Sequence, residues 1–361
     1  MWSLSAQFLQ ALTGPHQLIT TLTVTVPNGS PIAVPVQAGN ISVDSQAQIR
    51  RTAQITAYGN QTVYAACATP GAQFSIQHGL VMGNVTQMIP VFAGELSGNA
   101  QQDLGDGTIT LELGDFSSWL SRCQFLTPYV PGNIARVTAI TNVVQAARPG
   151  TTVINLSSDQ GLVPAASTWS TGALDVISDL STDGGLDCSF GPDGNYYIRN
   201  QQNTASQPVW TVTAGPYGLI ETASRAKPSD RWYNVVVVQP PAGTTQTWTQ
   251  QSAQITDPAN PRYPGNIGYV PYFWTSPSIT DAADALAAAQ RILSYIQGSD
   301  TTLALTLIAN PALEANDVIR VATPQVGQQN PLIFQHFVDS FNFDLQTGDM
   351  TLNTRSQIVL T

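Results

Sequence analysis

A serine and a lysine at helical spacing are the first candidates for chemistry in this chain. Ser224 and Lys227 fit the pattern S-x-x-K, which on a helix places a lysine one turn from a serine nucleophile. The S-D-N and K-T-G motifs that accompany this pattern in acylating enzymes do not occur in the sequence, and no G-x-S-x-G motif surrounds a serine. A four-residue match is common by chance, so a loop before Pro228 is the simpler interpretation.

Two pairs of aspartates offer a second kind of chemistry. Asp103 with Asp106, and Asp183 with Asp187, could act as glycosidase carboxylates or bind calcium. Both pairs lie in glycine-rich turns, where aspartate is favoured because its side chain hydrogen-bonds the local backbone. We therefore favour a structural role for both pairs.

Histidines and cysteines are few and widely separated. They are His16, His78 and His336, and Cys67, Cys123 and Cys188. None of the histidines has metal-site spacing, no C-x-x-C motif occurs, and an odd cysteine count does not suit a disulfide framework. The sequence therefore predicts free thiols, no metal ligand, no cofactor and no catalytic residue, so that an enzyme, specifically a hydrolase, is only the third interpretation.

The charge composition is unusual for a chain of 361 residues. Charged residues make up 10%, against about 25% in a typical protein, and the net charge is -10 with a single lysine, Lys227. Low charge suits large buried interfaces, in which charged residues are depleted. The absence of a basic stripe argues against stable binding of nucleic acid. No apolar run approaches the ~18 residues of a membrane span, so we expect no membrane insertion.

The elements that would position these residues are mostly strands. Residues 14–115 alternate apolar and polar positions between turns spaced about 8–12 residues apart, which is typical of an antiparallel barrel or sandwich. Helices are predicted over 4–12, 117–123, 134–147, 168–180 and 281–297, the last ending at Gly298, with a hairpin over 186–199. The two β-rich ends could be two copies of one barrel, but their identity is too low to establish this.

Four groups of segments, in the same order along the chain, resemble the tail hub or baseplate hub proteins of long-tailed bacteriophages. They are Val36–Asp44 with Gln48–Thr52; Ala173–Leu180 with Phe190–Asn195; Ile279–Ala285 with Ala309–Ile319; and Phe337–Phe341 with Gly348–Thr351 and Thr354–Arg355. The resemblance spans nearly the whole chain and brings no catalytic residues with it.

The resemblance implies a mainly β fold with an α+β insertion and two tube-like antiparallel β-barrels, both discontinuous. The first barrel would occupy 1–115 with an N-terminal helix, and an α+β inserted region would occupy 116–205. A β and loop region ending in a helix would follow at 206–298, and the C-terminal strands of the second barrel at 299–361.

The function that the resemblance implies is structural. Three copies would form a homotrimeric, pseudo-sixfold ring at the tail tip of the virion, made in the host cytoplasm. The ring would join the distal tail protein or tail tube protein to the tape measure protein and to downstream tip or fibre proteins, and DNA would pass through its lumen at ejection.

An alternative is a receptor- or glycan-binding β module of a virion. Exposed aromatic rings that stack on sugars would support it, and the candidates are Trp232, Tyr233, Trp248 and 272–274. Packing of these rings in the core or at an interface is the more favoured interpretation.

Three arginines on predicted strands are candidates for subunit contacts. They are Arg50, Arg51 and Arg320. A charge on a strand of so uncharged a chain is most useful across a subunit boundary, although a solvated strand face is an equally good interpretation.

Overall fold

The structure is a computed structural model that describes residues 2, 4–14, 16–170, 172–202, 206–215, 218–227, 232–241, 248–296, 301–323 and 331–356. The predicted helix end at Gly298 and Pro228 itself lie outside these residues. The loop predicted before Pro228 is wrong, because Ile220–Ala226 form a strand. No helix among them is long and apolar enough to cross a bilayer.

The first third of the chain is mostly antiparallel sheet. Its elements are α1 (Ala6–Ala11), β1 (Gln17–Thr25), β2 (Pro31–Val34), β3 (Val36–Asp44), β4 (Arg51–Tyr58), α2 (Gln61–Cys67), β5 (Gln73–Met82), β6 (Val85–Gln102) and β7 (Thr108–Asp115). Side chains alternate across these strands: Ala53, Ile55 and Ala57 of β4 are buried, and the residues between them face outward or lie half-buried.

The middle of the chain is the α+β region. It comprises α3 (Ser117–Arg122), β8 (Ile134–Ala135), α4 (Arg136–Ala147), β9 (Val153–Asn155), β10 (Leu162–Val163), α5 (Ala173–Gly184), β11 (Leu186–Phe190) and β12 (Tyr196–Asn200). The predicted hairpin is confirmed as β11 and β12. The predicted helix over 168–180 begins later, at Ala173, because the Asp175 carboxylate accepts a hydrogen bond from the Gly172 N–H and fixes the start there.

The rest of the chain returns to strands around one long helix. Its elements are β13 (Trp210–Thr213), β14 (Ile220–Ala226), β15 (Val235–Gln239), β16 (Gln251–Gln254), α6 (Pro264–Ile267), β17 (Pro271–Thr275), α7 (Ala282–Ile296), β18 (Thr301–Ile308), β19 (Val318–Thr323), β20 (Leu332–Asp344) and β21 (Asp349–Ser356). Helix α7 confirms the strongest helical pattern of the sequence. Its buried face, which includes Ala285, Ala289 and Ile292, packs on the small sheet β16-β15-β17.

One sheet of 13 strands joins the two ends of the chain. Its main path is β14-β18-β21-β20-β3-β4-β7-β6-β5-β1-β2, and β19 and β13 branch from β20. The joint between the two ends is the antiparallel pair β20 and β3, in which Ser340 lies opposite Asp44 and Asp344 lies opposite Asn40. The mainly β fold with an α+β insertion is therefore confirmed. Strands β13 and β14 precede the small sheet in the chain but belong to the large one.

The large sheet contains an internal repeat. Strands β3-β4-β7-β6-β5 and β14-β18-β21-β20-β19 follow the same order, and every pairing between neighbours is antiparallel in both sets. Shifts of the pairing register also recur at equivalent places. The first lies between Val36 and Ala38 of β3 and between Ile220 and Thr222 of β14. The second directly follows Leu96 of β6 and Val338 of β20. The repeat stops at the outermost strand, since β1 is antiparallel to β5 but β13 is parallel to β19.

The β6–β7 and β20–β21 hairpins show the repeat in sequence as well. Both read D-L-x-x-G-x-x-T-L, beginning at Asp103 and at Asp344. In each turn the glycine, Gly107 or Gly348, has a positive φ (77° and 75°) and donates its N–H to the carbonyl of the aspartate. A β-carbon would strain both positions, so the two turns demand the same residue.

Three hydrophobic clusters hold the molecule together. The largest lies against the 13-stranded sheet and combines residues of both repeats, among them Phe74, Phe92, Ile319 and Phe343. A second lies within the α+β region and a third lies between α7 and its small sheet. The two repeats therefore share one core, while each inserted region has a core of its own.

Candidate functional site

A group of charges lies where the large sheet meets the α+β region. Arg50 donates to Asp187 Oδ1 (2.6 Å) and to Ser189 Oγ (3.0 Å), and Asn316 Nδ2 also reaches Asp187 Oδ1 (3.2 Å). Burial alone would raise the pKa of Asp187, but the attraction of Arg50 and its hydrogen bond hold that pKa below its ordinary value. Asp187 is therefore a paired anion.

Arg51 makes a second ion pair beside the first. Its guanidinium donates to Glu314 Oε2 (2.6 Å) and to the Val91 carbonyl (3.0 Å), and its side chain is only 3% exposed. The other oxygen of Glu314 accepts the indole N–H of Trp2 (3.0 Å). The pair thus links β4 to the segment between β18 and β19.

Asp115 completes this group from the end of β7. Its two oxygens accept the backbone N–H groups of Arg51 (2.9 Å) and Ser117 (2.8 Å), which ties the start of α3 to the sheet. Burial raises the pKa of Asp115, and these hydrogen bonds oppose the rise. We call these five residues, Arg50, Arg51, Asp115, Asp187 and Glu314, the charge cluster.

The predicted interface arginines thus have different surroundings. Arg50 and Arg51 bond to carboxylates of their own chain, whereas Arg320 is exposed on β19. Their contact with a second subunit stays a prediction. What the charge cluster does within one chain is to fasten together the first repeat, the α+β region and the second repeat.

The histidines lie apart from one another. His78 and His336 are buried in strands and hydrogen-bond Thr20 and Thr354, while His16 contacts the Ala11 and Gly14 carbonyls. Burial lowers the pKa of His78 and of His336 to about 4. Among the residues that the structure describes, no group of three or more His, Cys, Asp or Glu could hold a metal ion.

The aspartate pairs have structural partners. Asp103 and Asp106 accept backbone N–H groups of their own turn, from Gly105 (2.7 Å) and Thr108 (2.8 Å). Asp183 is buried and accepts from three side chains, Trp274 (3.1 Å), Ser276 (2.5 Å) and Ser278, and burial raises its pKa despite them. Asp183 and Asp187 therefore serve different contacts and do not face a shared substrate position.

The serine and lysine at S-x-x-K spacing lie on and just after strand β14. Ser224 is exposed in the strand, and residues three apart on an extended chain point to opposite faces. The lysine of this pattern approaches the serine only when the two share a helix face, so the geometry that the motif needs is not formed here.

A cleft of about 520 Å³ lies between α5, α7 and the charge cluster. Its guanidiniums are already bonded within the chain: Arg50 to Asp187, Arg291 to the Asp183 carbonyl, and Arg355 to Tyr295 Oη (2.5 Å) and Asp339 (3.1 Å). Three of the candidate sugar-stacking rings, Tyr233, Tyr272 and Trp274, line this cleft. Tyr272 and Trp274 also pack partly on the third hydrophobic cluster, while Phe273 is 58% exposed.

Strand β14 and the end of β6 are two edges of the large sheet that lack a partner strand on one side among the described residues. Strand β14 is the terminal strand of the main path, and its positions from Glu221 onward are exposed. Strand β6 pairs with β5 only as far as Glu95, so its last residues bond to β7 on one side alone. The hairpin that follows carries Leu104, which is 88% exposed. Open edges of this kind are templates for pairing with another strand.

Comparison with known proteins adds the fold class. No family model matches the sequence, and no curated protein matches it. Among solved structures, a tail protein from Neisseria meningitidis aligns over 94% of this chain and 96% of its own, with 12% identity and a TM-score of 0.64. The 43 kDa tail protein of prophage MuSo2 from Shewanella oneidensis aligns over 93% and 98%, with 13% identity and a TM-score of 0.60.

A third similar structure is a Francisella PdpA-VgrG complex, in which the matched chain is longer. The alignment covers 94% of this chain and 58% of that chain, with 12% identity and a TM-score of 0.54. At these identities the likeness concerns the fold, and the fold is that of phage tail proteins. The resemblance stated from the sequence is confirmed at this level.

Proposed function

We propose that this protein is a structural hub of the tail tip of a long-tailed phage or phage-like particle. Three copies form a ring that sits on the tail tube protein or distal tail protein, contacts the tape measure protein and tip or fibre proteins, and passes DNA through its lumen. The tail-protein fold along nearly the full chain supports a structural role in a tail.

The internal repeat is the observation that carries the ring. Each chain has two equivalent five-stranded arrangements joined edge to edge by β3 and β20. Three chains therefore supply six similar units, which match a sixfold partner on one side, while the inserted regions, present once per chain, offer threefold symmetry on the other. A closed ring also removes the open sheet edges that a single chain exposes.

The charge composition supports passage of DNA rather than binding. The net charge of -10 and the single lysine leave little to hold phosphate groups. Low charge also suits a surface that is mostly covered by other subunits.

Light scattering of the purified chain, followed by imaging, tests this proposal. We expect a mass of three times 38.4 kDa and a particle with an open centre. A compact monomer at every concentration, with no copy of this chain in purified tails, would refute the hub and favour the receptor- or glycan-binding alternative.

A further inference from the structure

The joint between β3 and β20 shows which backbone groups of β3 point towards β20. The Gly39 carbonyl accepts from the Leu345 N–H (2.9 Å), whereas the Asp44 N–H donates to the Arg50 carbonyl on the opposite side (2.8 Å). Because directions alternate along a strand, Gly39, Ile41 and Val43 all face β20. The matching residues on the other strand are Leu345, Phe343 and Phe341.

The repeat places the equivalents of both partners at the two unpaired edges. The equivalents of Gly39, Ile41 and Val43 are Ala223, Arg225 and Lys227, in and directly after β14. The equivalents of Leu345, Phe343 and Phe341 are Leu104, Gln102 and Ala100, at the end of β6 and in its turn.

Hydrogen bonds agree with this assignment of directions. The Ala226 carbonyl faces β18, where it accepts from Thr302 Oγ1 (3.4 Å), so its neighbours Arg225 and Lys227 face outward. The Ala100 carbonyl faces the open side of β6, where Tyr64 Oη of α2 reaches it at 3.4 Å. An incoming strand would replace this long side-chain bond with a backbone bond.

The exposure of Leu104 indicates that the β6 edge lacks a neighbouring strand in the described chain. It is 88% exposed, while its repeat equivalent Leu345 is 4% exposed and part of the main core. Leu345 is buried where β3 joins β20. Leu104 has the same position in the same turn, but no strand lies beside it in the described chain.

Charge favours a meeting of the two edges. Strand β14 and the residue after it carry Arg225 and Lys227 against one acid, Glu221. The other edge is acidic, with exposed Asp103, Asp106 and Glu112 on and beside the hairpin. Opposite potentials steer two such surfaces together within the Debye length of about 8 Å.

We propose that β14 of one copy pairs antiparallel with the end of β6 of a second copy, repeating between chains the joint that β3 and β20 make within one. Ala223 lies opposite Leu104, Arg225 opposite Gln102 and Lys227 opposite Ala100. This head-to-tail contact rests on the proposed ring, and it names the strands that close it.

Cysteine pairs test the register directly. Gln101 and Ala226 lie opposite each other in the proposed joint as a non-hydrogen-bonded pair, with Cα atoms about 4.5 Å apart, close enough for a disulfide. Gln101→Cys and Ala226→Cys are made in separate chains, mixed and oxidised. A covalent dimer is expected from the mixture and from neither variant alone. Thr110→Cys, one strand further in opposite Gln101, is the matched control and should not cross-link to Ala226→Cys.

A surface substitution tests the role of Leu104. Leu104→Asp is expected to abolish the trimer and leave the circular dichroism spectrum of the folded chain unchanged, while Leu126→Asp, at a position 102% exposed outside the joint, keeps the trimer. A trimer that persists in Leu104→Asp and forms no cross-link overturns the joint but leaves the hub standing. A chain that is monomeric at all concentrations, forms no cross-link and is absent from purified tails overturns both.

Discussion

Arg51→Ala removes the most enclosed cation of the charge cluster. The variant loses the bond to Glu314 (2.6 Å) and the bond to the Val91 carbonyl (3.0 Å). Glu314, which is 9% exposed in the parent chain, keeps the Trp2 indole as its remaining side-chain donor. An unpaired carboxylate in this position must either take up a proton or draw in water, and both cost free energy.

The magnitude follows from the burial of the pair. Breaking a buried ion pair by removing one partner costs about 3–5 kcal/mol, mostly because the other charge stays buried. Arg320→Ala, on an exposed strand position of the same sheet, is the matched control. It should change the free energy of unfolding by no more than about 0.5 kcal/mol. Glu314→Gln combined with Arg51→Ala should cost less than the sum of the single changes, since the stranded charge is gone.

Urea denaturation followed by circular dichroism at pH 7 measures these free energies. The expected result is a large fall in the midpoint for Arg51→Ala, a small one for Arg320→Ala, and positive coupling in the double variant. If Arg51→Ala unfolds like the parent but no longer forms trimers, the guanidinium acts between chains. Our conclusion that the charge cluster links the two repeats and the α+β region within one chain would then be wrong.

Three further predictions concern single residues. His78 and His336 have a pKa of about 4 in the folded chain against about 6.5 when unfolded. They therefore contribute stability that is present above pH 6.5 and is lost as the pH falls towards 4. The denaturant midpoints measured at pH 7 and at pH 4.5 should differ less in His78→Gln than in the parent. Gly107→Ala and Gly348→Ala should each lower the free energy of unfolding by about 1–2 kcal/mol, because both glycines have positive φ. Calorimetry of the two variants measures this loss. A loss of stability in only one of them would contradict the equivalence of the two turns. Burial raises the pKa of the Cys67 thiol to about 11, so mass spectrometry should find it unalkylated by iodoacetamide at pH 8 in native protein and alkylated in urea.

Local patterns in the sequence were enough to predict the regular elements. The apolar stripe of α7 and the Gly-Pro-Asp-Gly-Asn turn of the β11–β12 hairpin need only neighbouring residues, and both predictions are confirmed. Helix α2 was missed because its signal is one capping residue, Asn60, whose side chain accepts from Thr62 and Val63 over a short and weakly amphipathic stretch.

The charge cluster could not be predicted, since its partners are far apart in sequence. Arg50 and Asp187 are separated by 137 positions, and Arg51 and Glu314 by 263. The sequence suggested that charges on strands of so neutral a chain serve contacts across a subunit boundary, and no local pattern points to the carboxylates that they bond within the chain. The repeat was within reach: the D-L-x-x-G-x-x-T-L pattern at Asp103 and Asp344 is visible by eye once the two hairpins are aligned.

The joint between β3 and β20 has a consequence for the order of folding. During synthesis the edge of β3 emerges about 300 residues before its partner segment in β20. At about 5–20 residues per second, that edge waits roughly 15–60 s for its own chain. In that interval a finished neighbour on the same messenger can donate its β20 hairpin instead, and the result would be an exchanged dimer. The low charge of β3 offers little protection, so newly made chains are at greatest risk of entanglement before their last hairpin is complete.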